Sequence, residues 1–81
     1  MTFTAHINVM PLKELLDPQG KAVMGGLKNL GISQVHDVRI GKHITLQIEA
    51  ASAEEAKTLA ETACQKLLAN QVMESFEVSI A

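Results

Sequence analysis

Val35-His36-Asp37-Val38-Arg39-Ile40-Gly41-Lys42-His43-Ile44-Thr45-Leu46-Gln47-Ile48-Glu49-Ala50 decides the fold, because two β-rich runs flank its glycine. In the second run Ile44, Leu46, Ile48 and Ala50 face one way, while His43, Thr45, Gln47 and Glu49 face the other. That is the period of a half-buried strand. Val38 and Ile40 carry the same period in the first run. A two-residue loop at Gly41-Lys42 would set Ile40 against His43. A three-residue loop, Gly41 to His43, sets Ile40 against Ile44 and Val38 against Leu46. The apolar pattern therefore predicts a hairpin with the odd-length loop. Val35 is out of phase with it, which predicts a bulge or a late strand start near His36.

Upstream of the hairpin, Phe3, Ala5, Ile7 and Val9 alternate with Thr4, His6 and Asn8. They predict a strand that Pro11 ends or offsets. Asp17-Pro18 is a helix start: the carboxylate caps free N–H groups, and proline suits the first helical position. Val23, Leu27 and Leu30 recur on one face, Met24 widens the stripe, and Gly31 follows as the left-handed C′ residue. The helix spans Pro18 to Leu30. Gly25 and Gly26 each cost it about 1 kcal/mol relative to alanine. The pair implies either a close neighbour or plain tolerance.

Downstream, Ser52 and Glu55 form a capping box. Ala56, Leu59, Ala60, Ala63, Leu67 and Leu68 supply an apolar stripe whose small front half suits close approach to a sheet. This second helix ends by Ala69 or Asn70. Phe76, Val78 and Ile80 alternate with Glu77 and Ser79 as a last strand. The order β-α-β-β-α-β predicts an α+β, ferredoxin-like two-layer sandwich, with a four-stranded antiparallel sheet and two helices on one face. One domain spans residues 1–81.

Composition bounds what such a domain does. Surface scaling at 8.7 kDa gives about 4,700 Å² exposed when folded against roughly 12,600 Å² extended. One modest core fits, and two substrate pockets do not fit beside it. Phe3 and Phe76 are the only aromatic residues, so the core is aliphatic. Seven basic against nine acidic residues give a formal charge of -2, the wrong sign for a phosphate backbone, and no aromatic platform stacks bases. A single cysteine fits a reducing compartment. No signal peptide or apolar run of membrane-spanning length is present, so the expected location is the cytoplasm.

No catalytic constellation emerges. Cys64 sits inside a helix without metal or redox spacing and reads as a small core side chain. His6 and His43 fall on one sheet face, but without a carboxylate in obvious register they are a weak metal set, so no metal is expected. The polar face carrying Thr4, His6, Asn8, Thr45, Gln47, Glu49, Glu77 and Ser79 reads as solvated or as a contact between copies. Arg39, the only arginine, lies beside a glycine turn and Lys42, and the two suit a phosphate, a carboxylate or a solvated hairpin tip.

Three blocks carry a resemblance: Leu16-Asp17-Pro18-Gln19-Gly20-Lys21-Ala22-Val23; Val35 with Asp37-Val38-Arg39-Ile40-Gly41-Lys42; and Leu67-Leu68-Ala69-Asn70-Gln71-Val72-Met73-Glu74. In order and spacing they resemble the PurS family, the small subunit of phosphoribosylformylglycinamidine synthase, over essentially the whole chain. The resemblance implies a non-catalytic subunit of a purine-biosynthetic complex. That complex converts formylglycinamide ribonucleotide to the amidine with ATP and glutamine-derived ammonia. It further implies that ATP and magnesium belong to a large synthetase subunit and the nucleophile to a glutaminase subunit. This chain would then be a homodimer or homotetramer that bridges the two and binds neither nucleic acid nor membrane. Carried onto this sequence, Gln19, Asp37, Arg39 and Lys42 are the expected partner or oligomer contacts. His43 stands where the family often has tyrosine. An ACT-like small-molecule sensor shares the order of elements and is the alternative; saturable binding of one effector separates the two.

Overall fold

The computed structural model describes all 81 residues, Met1–Ala81. The amino-terminal alternation becomes β1 (Thr2–Pro11) and is followed by α1 (Pro18–Asn29) and β2 (Lys42–Glu49). Next comes α2 (Ala53–Ala63), which runs on as a π-helical turn over Cys64–Leu68, and then β3 (Glu74–Ile80). The sheet has three strands in the order β2-β1-β3, and β1 pairs antiparallel with both neighbours. Ile7 lies opposite Ile44 on one side and Val78 on the other, and Ala5 opposite Leu46 and Ile80. The apolar residues of all three strands therefore share one face, as period two requires.

α2 covers that face. Ser52 caps it, its hydroxyl accepting from the Glu55 N–H at 3.2 Å. Ala56, Ala60 and Cys64 are fully buried at four-residue spacing. Their small side chains let the helix sit close to the fully buried Ala5, Ile7 and Val9. The stripe then needs a fifth residue per turn to stay on this face. The π turn supplies it, the Ala69 N–H donating to the Cys64 carbonyl at 3.0 Å, and Ala69 joins the core. Ile44, Leu46, Ile48, Leu68, Phe76, Val78 and Ile80 pack around this centre. Leu59 and Leu67, assigned by the sequence to the same stripe, point outward.

The expected hairpin does not form. Residues 33–41 carry no strand, His43 lies within β2 opposite Asn8, and β2 pairs with β1 instead of with Val38 and Ile40. The sheet accordingly has three strands within the chain, not four. The cause is capture of the 38–40 backbone by α1: the Asp17 carboxylate accepts the Ile40 N–H at 2.8 Å, and the Val38 carbonyl presses on Gly20. Gly41 is likewise a glycine of close approach, since a Cβ there would overlap the Val9 carbonyl and the Met10 sulfur.

α1 begins and ends as its sequence dictates. Pro18 opens it, and Gly31, at φ +83°, closes a Schellman motif. In that motif the Ile32 N–H donates to Leu27 and the Gly31 N–H to Lys28. Its packing differs from expectation. Gly20 is its only buried residue and no α1 side chain enters the core, so α2 alone covers the sheet. The chain is elongated, 51 × 24 × 14 Å, with a radius of gyration of 16.1 Å against about 12 Å for a compact chain of this length. No helix is long and apolar enough to cross a membrane.

Candidate assembly surface

Three clefts of about 320–390 Å³ surround residues 10–17, where β1 hands over to α1. Asp17 organises this region. It is only 8% exposed, and its two carboxylate oxygens accept from Gly20 N–H at 3.0 Å and Ile40 N–H at 2.8 Å. The side chain is therefore both helix cap and clasp, tying residues 38–40 to α1. The Gly20 and Ile40 N–H groups, with the nearby Arg39 charge, hold its carboxyl below the usual carboxylate range, against the opposing effect of burial. Because Asp17 already occupies the start of α1, no anion is needed there.

Arg39 is spent on backbone. Its guanidinium donates to the Leu12 carbonyl at 2.6 Å, the Leu15 carbonyl at 3.3 Å and the Pro11 carbonyl at 3.5 Å. The rigid fork thus gathers a loop whose only backbone tie outside itself is the Leu12 N–H to the Met73 carbonyl, 3.0 Å. Asp37 is exposed and accepts the Val38 N–H. With Arg39, Lys21 and Glu14 it lines one cleft. Gln19 is exposed on the first turn of α1 and lines a second cleft with Asn70, Met73 and Glu74. Lys42 opens β2, its ammonium 4.0 Å from the Glu74 carboxylate, an exposed contact that contributes little to stability. Three of the four expected contact residues thus line two adjoining clefts, Lys42 reaches only Glu74 at the edge of one, and only Arg39 holds structure together.

The sequence left two features unread. The clasping half of Asp17 was invisible, since a cap signal involves only the residues that follow it. Glu74 was also missed: its carboxylate accepts the Asn70 N–H at 2.8 Å, while Asn70 Oδ1 accepts Val72 N–H, fixing the turn before β3. Nothing here pairs a nucleophile with a base. Cys64 is buried beneath α2, where burial, with the nearby Glu61 charge, pushes its thiol pKa upward and keeps it inert. Large apolar side chains also stand accessible: Leu16, Val23, Leu30 and Ile32 are all exposed on or beside α1.

Residues 4–81 match the PurS family, described as phosphoribosylformylglycinamidine (FGAM) synthase. The chain is 44% identical over 70 residues to the synthase subunit PurS of Bacillus subtilis, covering 85% of this chain and 82% of that one. It is 41% identical over 75 residues to the Synechocystis subunit, covering 93% and 75%. Among solved structures, Bacillus subtilis PurS superposes with a TM-score of 0.87 at 37% identity, covering 98% of each chain. A chain in the structure of PurLQS from Thermotoga maritima superposes at 0.91 with 32% identity, covering 100% and 99%.

Proposed function

The chain belongs to the PurS family, and from that premise we infer its place in the enzyme. It is a subunit of phosphoribosylformylglycinamidine synthase, the glutamine-dependent ligase of purine biosynthesis whose complex uses ATP. Within that complex our reading is that it carries no reacting group and binds no cofactor. ATP and magnesium then sit in the large synthetase subunit, ammonia is released in the glutaminase subunit, and this chain bridges the two in the cytoplasm.

One observation carries the self-assembly part of the reading. The chain exposes 5722 Å², about 1,000 Å² more than a compact protein of its mass. That excess exceeds the roughly 800 Å² each partner contributes to a standard interface. The uncovered stripe of α1 is its apolar part, so a second copy docks there to give a homodimer or a pair of dimers. Apart from α1's own adjoining residues, nothing lies within 4 Å of where a Cβ would stand on Gly25 or Gly26, leaving α1 open to close approach from outside. The alternation of Val38 and Ile40 finds a strand partner, where it finds one, between chains. Gln19, Asp37 and Lys42 then face the other subunits, around a loop that Arg39 holds in shape.

Reconstitution tests the reading. Adding the chain to purified synthetase and glutaminase subunits should restore glutamine-dependent amidine formation, with the chain dimeric or larger in light scattering. Full turnover without it would refute the bridging role. Saturable binding of a single small effector to the isolated chain would favour the sensor alternative.

A further inference from the structure

On the open face of the sheet, away from α2, the backbone register brings His6 and His43 together. Asn8 lies opposite His43, and His6 opposite Thr45, so the two histidines are diagonal neighbours on adjacent strands. Their ring centroids are 5.6 Å apart, and His6 Nδ1 lies 3.5 Å from His43 Nε2. We propose that this pair is a binding site for one divalent transition-metal ion that imidazole favours, of the zinc and nickel class.

Two features support the assignment. First, the Asn8 amide oxygen sits 2.7 Å from His43 Nδ1, so Nδ1 carries the proton and donates it. The neutral ring then has its lone pair on Nε2, directed at His6. Such a hydrogen bond from the far nitrogen is how proteins orient a metal-binding imidazole. Second, the 3.5 Å separation is long for a proton shared between two nitrogens. Two Zn–N bonds of about 2.05 Å at a tetrahedral angle span about 3.3 Å, so the rings need shift by only about 0.2 Å to share an ion.

Water completes the coordination. Glu77 lies level with Asn8 on β3, but no acidic, histidine or cysteine side chain stands close enough to the pair to be a third ligand. Glu49 is already engaged by the Thr2 hydroxyl and the terminal amine. Softness and geometry both point to zinc or nickel over magnesium or calcium, which require oxygen donors. Bound there, the ion would pin β1 to β2 from the solvent side.

Isothermal titration of the full-length chain with zinc or nickel chloride, each alone, tests the proposal. One ion per chain is expected, together with a rise in the thermal midpoint. His6→Ala and His43→Ala should each abolish saturable binding. His43 is exposed and His6 half-buried, so circular dichroism is expected to report unchanged folds, and His6→Gln and His43→Gln guard against a packing effect. Asn8→Ala should weaken binding about tenfold, while Asn8→Asp, which still accepts from Nδ1, should retain it. His36→Ala, in the separate 33–41 segment, should change nothing. Absence of saturable binding to the native chain, or binding that survives loss of either His6 or His43, would overturn the assignment.

Discussion

Replacing Leu30 by alanine removes three carbons from the end of the uncovered α1 stripe. Full burial of those carbons is worth about 2.4 kcal/mol at about 0.8 kcal/mol each. Leu30 is 77% exposed in the single chain, so about 1.8 kcal/mol of that remains to be gained when a partner covers it. A two-fold interface uses the same patch on both copies, which doubles the effect to about 3.7 kcal/mol, or roughly 500-fold in the dimer dissociation constant. The isolated chain should scarcely notice, because leucine and alanine are both good helix formers and this side chain touches little. Sedimentation equilibrium of the native and Leu30→Ala chains measures the change directly. Leu67→Ala is the control, since Leu67 is as exposed but lies on the π turn beyond α2. Loss of a few-hundredfold in the first variant alone places the contact on α1. An unchanged constant, or an equal loss in both variants, would refute the argument that α1 is covered by a second copy.

Three further outcomes follow from the region around Asp17. Gly20→Ala should cost about 1–3 kcal/mol in urea unfolding, because its Cβ would overlap the Val38 carbonyl; Gly25→Ala, in open space, should be neutral or slightly stabilising in the isolated chain. Arg39→Ala should cost about 1.5–3 kcal/mol and accelerate amide exchange between Leu12 and Leu16, and Arg39→Lys should not rescue it, since an ammonium cannot serve the same spread of carbonyls. The Asp17 carboxyl is held below its ordinary value in the folded chain, so its stabilisation is fully present above the unfolded value near pH 4 and is lost as pH falls toward the lowered folded value. Unfolding followed from pH 5 to pH 2 should show this slope in the native chain and a shallower one in Asp17→Asn.

How much was legible in the sequence depended on whether the deciding partner lay nearby. The start and end of α1 were readable because Asp17, Pro18 and Gly31 act within a few residues of themselves. The strands at the two ends were readable because period two is local, and so was the small-residue face of α2. The hairpin was not, and its failure is physical. Val38 and Ile40 alternate as a strand should, yet Asp17 and Gly20, distant in sequence, claim the backbone that a ladder would have used. Alternation measures suitability for a pleated surface, and it carries no information about a competitor for the same N–H. The error then spread to the candidate site. The sequence already put His6 and His43 on one face, but with His43 assigned to a turn it could not show them as diagonal neighbours with ring nitrogens 3.5 Å apart, which the pairing of β2 with β1 makes them. With the edge strand absent, α1 also stands off the sheet, which the stripe of Val23, Leu27 and Leu30 could never reveal. An amphipathic helix records that something apolar must cover it and is silent on whether that cover belongs to its own chain. Here α1 buries one glycine and the chain exposes 5722 Å², which is the uncovered surface that the proposed second copy would fill.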